Sequence, residues 1–299
     1  MSGTLKIIIF SVLCLIWSST WLMIKVGLQG APPLTSAGLR FGLAAVVIFF
    51  IMWRARIALP RTRVFFVFTL YLGLFQTTLP YALVYWAEQH LSAGLTAILF
   101  STMPLMVAIL ARVFLGDPLS VWKVVGIVFG VAGVYVIFGE NVSFGGSTVA
   151  VAAVLLSAFL ASASTVAVKK YSANYQPLAA ISLPHAYAGV ILLLSGGLVE
   201  RSSPLAWDGL TYFTILYLAL FGSVAAFGLY FWLIKHIDVT VLSYQTFIIP
   251  MLAVLLGWIF LKETVTINTA LGGSLIVVGI VLAVLPGSRR RRLADAGPQ

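Results

Sequence analysis

Charge is scarce in this 299-residue chain: aspartate, glutamate, lysine and arginine make up 9% of it, and only eight residues are acidic. Cysteine is nearly absent. Cys14 stands alone, so no disulfide can form within the chain and the redox compartment cannot be read from cysteine usage. It lies inside an apolar run and reads as a small buried hydrophobe. Long polar stretches are missing as well, which leaves no room for a soluble domain. Together these absences exclude a water-soluble globule. Hydrophobic residues reach 61% and the mean hydropathy is +1.09, more apolar side chain than a 32.2 kDa globule can bury. The solvent for most of this chain is lipid.

What charge there is has one dominant sign, with a formal net value of +10. The basic residues sit at the ends of apolar runs rather than on a solvated face, a placement that sets membrane orientation and argues against nucleic acid as a partner. A helix needs about 20 apolar residues to cross the hydrocarbon. Ten such runs are present, at 5–27, 34–53, 64–86, 93–114, 121–139, 148–169, 178–199, 209–233, 240–261 and 267–285. The connections between them carry turn residues, among them Ala31-Pro32-Pro33, Gly116-Asp117-Pro118, Gly145-Gly146-Ser147 and Ser202-Ser203-Pro204. With the N-terminus inside, Lys6, Arg54, Arg56, Arg61, Arg63, Arg112, Lys123, Lys169, Lys170, Lys235 and Arg289 to Arg292 fall on the cytoplasmic side, against Lys25, Arg201 and Lys262 outside. Both termini are therefore expected in the cytoplasm, and the first run reads as a retained helix rather than a cleaved signal. The polar tail 288–299 is expected to be disordered.

The chain repeats itself. An offset of 146 carries Tyr71, Leu72, Leu74 and Phe75 onto Tyr217, Leu218, Leu220 and Phe221, and it likewise carries Trp86 onto Trp232, His90 onto His236, Pro104 onto Pro250 and Gly126 onto Gly272. An offset of 144 aligns Ser18 with Ser162, Lys25 with Lys169 and Pro60 with Pro204. Each half holds five spans, and an odd number makes the second half enter the membrane from the opposite side. The expected fold is all-α, integral to the membrane, with ten transmembrane helices as two inverted five-helix repeats, 1–140 and 141–287. Inverted repeats are the architecture of many secondary transporters, with the substrate near the midplane between the halves.

These residues resemble the drug/metabolite transporter superfamily, in particular its ten-helix EamA-type members. The matching features are Trp17-Ser18-Ser19-Thr20-Trp21 with Lys25, the segment Tyr85 to Ala87, the mid-helix Pro104 and Pro250, and the paired helix ends Phe114-Leu115-Gly116-Asp117 and Phe260-Leu261-Lys262-Glu263, each followed by a glycine-rich helix. Asp117 stands where the family usually has glutamate. Within the superfamily the chain looks most like bacterial inner-membrane exporters of amino acids and related metabolites, including the YddG-type exporters of aromatic amino acids. That resemblance implies export of small metabolites from a bacterial inner membrane. A multidrug or proton-coupled metabolite exporter is the alternative, and an integral membrane enzyme is the distant one, since no nucleophile and base are matched in depth.

A solute crossing the membrane needs aromatic walls and a few polar groups in place of its lost water. The residues that offer these near mid-span are Trp17 and Trp21; Gln76, Tyr81 and Tyr85; Ser101; Ser164; Phe227 and Tyr230; and Tyr244 and Gln245. Serines in such positions also bond their own helix backbone or let helices pack closely. Pro80, Pro104 and Pro250 remove backbone donors in mid-helix and are expected to bend or gate their spans. Every acidic residue is expected at a helix end, in a loop or in the tail, which favours a facilitator over an ion-coupled carrier. Arg40 lies about 10 Å along its helix and is expected to snorkel to the outer interface, with anchoring of a carboxylate at the outer mouth as the alternative. His185 reads as a structural histidine, with proton relay as the rival. The glycine faces at Gly126, Gly130, Gly133, Gly272, Gly273 and Gly279 suit close packing, either with each other or between protomers. Histidines and Cys14 form no metal-ligand set, so no cofactor is expected. The partners are a small-molecule substrate and membrane lipid, with the protein a monomer or weak dimer.

Overall fold

The computed structural model describes residues 3–143, 148–171, 175–203, 206, 208–237 and 239–295. All ten expected spans are helices: α1 (Gly3–Gly27), α2 (Pro33–Arg54), α3 (Arg63–Glu88), α4 (Ala93–Leu115), α5 (Val121–Ser143), α6 (Thr148–Tyr171), α7 (Pro177–Val199), α8 (Gly209–Leu233), α9 (Val241–Leu261) and α10 (Ile267–Asp295). Among the described residues nine are long and apolar enough to cross a membrane, and α5 contributes the apolar stretch Val121–Ile137. The expected turn Gly145-Gly146-Ser147, Pro204 of the next one and residues 296–299 lie outside the described residues. Residues 288–295 were expected as disordered tail, but here they continue α10 to Asp295.

Local chemistry sets the boundaries. Thr62 and Ser92 start α3 and α4 by accepting from the backbone N–H groups of Phe65 (3.2 Å) and Leu95 (3.1 Å), and Asp208 starts α8 by accepting from Thr211 N–H (2.7 Å). At the other end, α4 and α9 stop at repeat-equivalent residues in the left-handed conformation, Gly116 (φ 72°) and Lys262 (φ 55°). The outer surface is apolar, with Trp53, Tyr135 and Ile267 more than 70% exposed, as lipid as solvent requires.

Helix contacts obey a two-fold pairing. The α2–α7, α4–α9 and α5–α10 pairs are each self-equivalent under the repeat, and the larger of the remaining cross-repeat contacts come in counterparts: α1–α9 with α6–α4, α1–α8 with α6–α3, and α2–α8 with α7–α3. The glycine faces meet within the chain. A side chain at Gly133 would strike the Gly272 carbonyl, and one at Gly126 would strike the Gly279 carbonyl. Helices α2 and α7 approach as closely, since a Cβ on Gly189 would lie 2.7 Å from Gly42 Cα.

Four helices depart from simple α geometry, α9 among them, which breaks at Tyr244 between Ser243 and Gln245. Gly73–Thr78 of α3 and Leu218–Ala225 of α8 are π segments, and the repeat offset places one upon the other. Pro80 begins the α segment Leu79–Glu88 just after the first, but its equivalent in α8 is Ala226, so proline is not the cause shared by the two π segments. In α4 the helix stops at Phe100 and restarts at Met103. Pro104 was expected to bend a continuous helix and instead opens a new one, where its missing N–H is not needed. Pro250 lies inside Gln245–Leu261, which stays α-helical around it.

Candidate functional site

Helices α1, α2, α3, α7 and α8 meet around a chain of aromatic rings that crosses from one repeat to the other. Tyr81 packs edge-on to Phe41 (4.8 Å between centroids), Phe41 to His185 (5.5 Å), His185 to Phe227 (5.7 Å) and Phe227 to Trp17 (6.0 Å); Tyr230 lies 5.5 Å from Trp17. Trp21 lies 5.5 Å from Phe100 of α4, and both pack, as Tyr81 does, on the buried cluster that holds Phe41 and Tyr85. Of the residues singled out in the sequence, Trp17, Trp21, Tyr81, Tyr85, Phe227 and Tyr230 are thus brought together. His185 links the two halves. Its Nδ1 lies 2.8 Å from the Ile181 carbonyl, while Nε2 is buried with no hydrogen-bond partner.

At the edge of this arc sits Arg40, which is 2% exposed and does not snorkel. Its Nε donates to Ser223 Oγ (3.2 Å) and its Nη1 to Tyr85 Oη (3.4 Å), and the guanidinium lies 5.0 Å and 4.9 Å from the ring centres of Phe41 and Tyr81. The π segment of α8 makes this seat. Ser223 Oγ donates to Leu218 O five residues back, and Gly222 leaves space where a Cβ would stand 3.3 Å from Nη2.

Other expected residues do not join. Ser101 and Ser164 donate to the carbonyls of Ile98 (2.6 Å) and Leu160 (3.1 Å) on their own helices, the packing role open to any mid-membrane serine. Tyr244 packs on Phe247, Gln245 keeps a buried Oε1 without a partner, and Gln76 lies half-buried in the π segment of α3. Two grooves on the helix surfaces, of about 990 and 530 Å³, share no residue with the expected site; the smaller is walled by Pro33, Leu83, Trp86, Leu156 and Leu160, among others.

The acidic residues divide by function. Glu200 accepts from the backbone N–H groups of Leu34 (2.8 Å) and Thr35 (2.9 Å), and Glu263 from that of Ala93 (2.7 Å), so these acids cap α2 and α4. Asp117 pairs with Lys169 at 2.5 Å. Glu88 is different. It ends α3, as expected, yet is fully buried with neither carboxyl oxygen hydrogen-bonded. The Lys25 ammonium beside it donates to the main-chain carbonyls of Glu88 and Leu91, the latter at 2.7 Å. A helix-end position therefore does not keep this carboxyl in water. The side chains of Glu140, Asp238 and Asp295 lie outside the described residues.

Compared with known proteins, the chain matches the model of the EamA-like transporter family over residues 4–139 and again over 148–285. It belongs to the EamA-like transporter family. A Bacillus subtilis relative named as the uncharacterized transporter YoaV is 29% identical over 93% of this chain and 96% of its own length. The Escherichia coli K12 uncharacterized inner membrane transporter YedA is 30% identical over 91% of this chain and 88% of its own. A solved structure titled only as a crystal structure of protein superposes with a TM-score of 0.66 at 21% identity, covering 97% of this chain and 99% of that one, and so shares its fold.

In this EamA-type transporter most of the rings that meet are ones the sequence singles out, but how they are joined is not legible there. Phe41 and Phe100 carry no polar atom and look like any core residue in an apolar run. Arg40 and His185 were visible as rare polar groups within spans, but their meeting through Phe41 depends on the close α2–α7 crossing at Gly42 and Gly189.

Proposed function

We propose that this EamA-type protein is a secondary transporter that exports small metabolites, amino acids including aromatic ones foremost, by alternating access through a midplane site between its repeats. The observation that carries the reading is the aromatic arc itself. It takes Trp17, Phe41 and Tyr81 from one repeat and His185, Phe227 and Tyr230 from the other, so movement between the halves changes access to every member. The basic residues support a bacterial inner membrane orientation with both termini cytoplasmic.

The test is uptake of labelled amino acids, aromatic and aliphatic, into proteoliposomes without an imposed ion gradient. Saturable uptake that equilibrates, and that falls at least tenfold in Tyr81→Ala, is the expected result. No uptake of any amino acid, with or without a gradient, overturns the reading. A second reading, proton-coupled export, is favoured by Glu88, whose burial without partners restores the interior carboxyl that passive transport was argued to lack. Uptake that starts only with a pH gradient and loses its dependence on that gradient in Glu88→Gln selects coupling.

A further inference from the structure

A guanidinium cannot shed its charge inside a protein, so withdrawing Arg40 from water leaves a permanent cation to be compensated. The groups that face it are Phe41 on its own helix, Tyr81 and Tyr85 on α3, and Gly222 and Ser223 on α8. All are uncharged. Among the described residues no carboxylate lies within ion-pairing distance of Arg40, the observed pair being Lys169 with Asp117. Hydroxyls and ring faces hold the guanidinium in place without neutralising it. The buried Glu88 on α3 feels its charge but makes no hydrogen bond or ion pair with it, and a buried cation with no anion against it is costly in a membrane protein and has its remedy in an anion brought by something else.

The seat is also built to position the fork. Ser223 and Tyr85 fix Nε and Nη1, two rings fix its plane, and glycine at 222 keeps a side chain away from Nη2. A planar guanidinium held in one orientation suits a carboxylate, whose two oxygens it can meet with two parallel N–H donors. Phe41 then joins the guanidinium to the ring chain through His185, Phe227 and Trp17, which supplies an apolar wall beside the charge.

We propose that Arg40 is the binding site for a carboxylate on the transported solute, so that the substrate class is small carboxylates with an apolar or aromatic remainder, and that amines and lipophilic cations of the same shape are rejected. This deepens the transporter reading and rests on it for the word substrate. The positive charge is needed twice over: it attracts the acid, and it repels a cation that would otherwise fit the same aromatic wall.

The experiment uses the purified full-length chain and matched probes that share a phenyl group: phenylalanine and 3-phenylpropionate as carboxylates, phenethylamine as the amine. Thermal shift in detergent reads binding, and competition against labelled phenylalanine in proteoliposomes reads transport. The carboxylates are expected to raise the melting temperature and to compete, while phenethylamine does neither at tenfold higher concentration. Arg40→Gln should weaken the carboxylate response about 10- to 100-fold, the range of a charge-assisted contact. Arg40→Lys keeps the charge but loses the two-donor fork and should weaken it by a smaller factor, which separates loss of the site from misfolding of an Arg40 variant. Equal response to acid and amine, an undiminished carboxylate response in Arg40→Gln, or no response to any of the three probes overturns the assignment. Carboxylate binding that depends on Arg40 without transport of any amino acid keeps the site and overturns the export reading. Transport that ignores the carboxylate does the reverse.

Discussion

At the scale of single residues, burial decides what a polar group can do. Ser101, Ser164 and Thr102 sit where the sequence puts polar atoms in the membrane, and each hydroxyl turns to a carbonyl three or four residues back on its own helix. Glu200, Glu263 and Asp208 are likewise used up on helix starts. Glu88 has no such use, and a buried carboxyl with both oxygens unpaired is a liability to the fold. Glu88→Gln is therefore expected to leave thermal stability unchanged or to raise it by up to about 2 kcal/mol, measured by melting in detergent. A loss of that size would mean that the carboxylate is held by its surroundings and is not an orphan. That Glu88 lies near a helix end was plain from the sequence. That the end is covered was not, because the cover comes from α1 through Lys25, which is 63 residues away in the chain.

Among the helices, interruptions and close contacts carry the consequences. The break in α4 is held by Ser101 and Thr102, whose hydroxyls take the carbonyls of Ile98 and Leu99, so Pro104 follows the break rather than making it. Pro104→Ala should then leave transport within about threefold of wild type, since alanine also suits a helix start; abolished transport with normal expression would return the proline to a gating role. The α5–α10 contact is less forgiving. Gly133 faces the Gly272 carbonyl, a backbone atom that cannot swing aside, so Gly133→Val should destabilise the protein by about 1–3 kcal/mol, seen as a lowered melting temperature. A melting temperature that does not move would show that α10 can shift outward at no cost. The glycine spacing in the sequence announced a close-packing face, but two partners satisfied it equally, and the fold chose the one inside the chain.

For the whole molecule, inversion is the property from which transport follows, and orientation is its first check. Cys14 is buried, so Cys14→Ser gives a cysteine-free background in which Ser2→Cys or Gln299→Cys can be labelled. In intact cells both single-cysteine proteins should resist a membrane-impermeant maleimide and react after lysis; labelling of either terminus from outside would overturn the expected topology. The ten spans, their order and the duplication were legible in the linear chain because bilayer thickness imposes a length on every span, and duplication leaves matching residues at one offset. Even the paired π segments fall on that offset, though nothing in Gly73–Thr78 or Leu218–Ala225 announces a π turn. Composition and period are local properties, and they suffice to place this chain in lipid, as helices, in two related halves. Packing between helices far apart in the chain turns Arg40 inward and seals Glu88. It also places Phe41 and His185 between aromatic groups of opposite repeats. Each of these depends on which helices touch, and contact between residues far apart in the chain leaves no trace in the periodicity of either one.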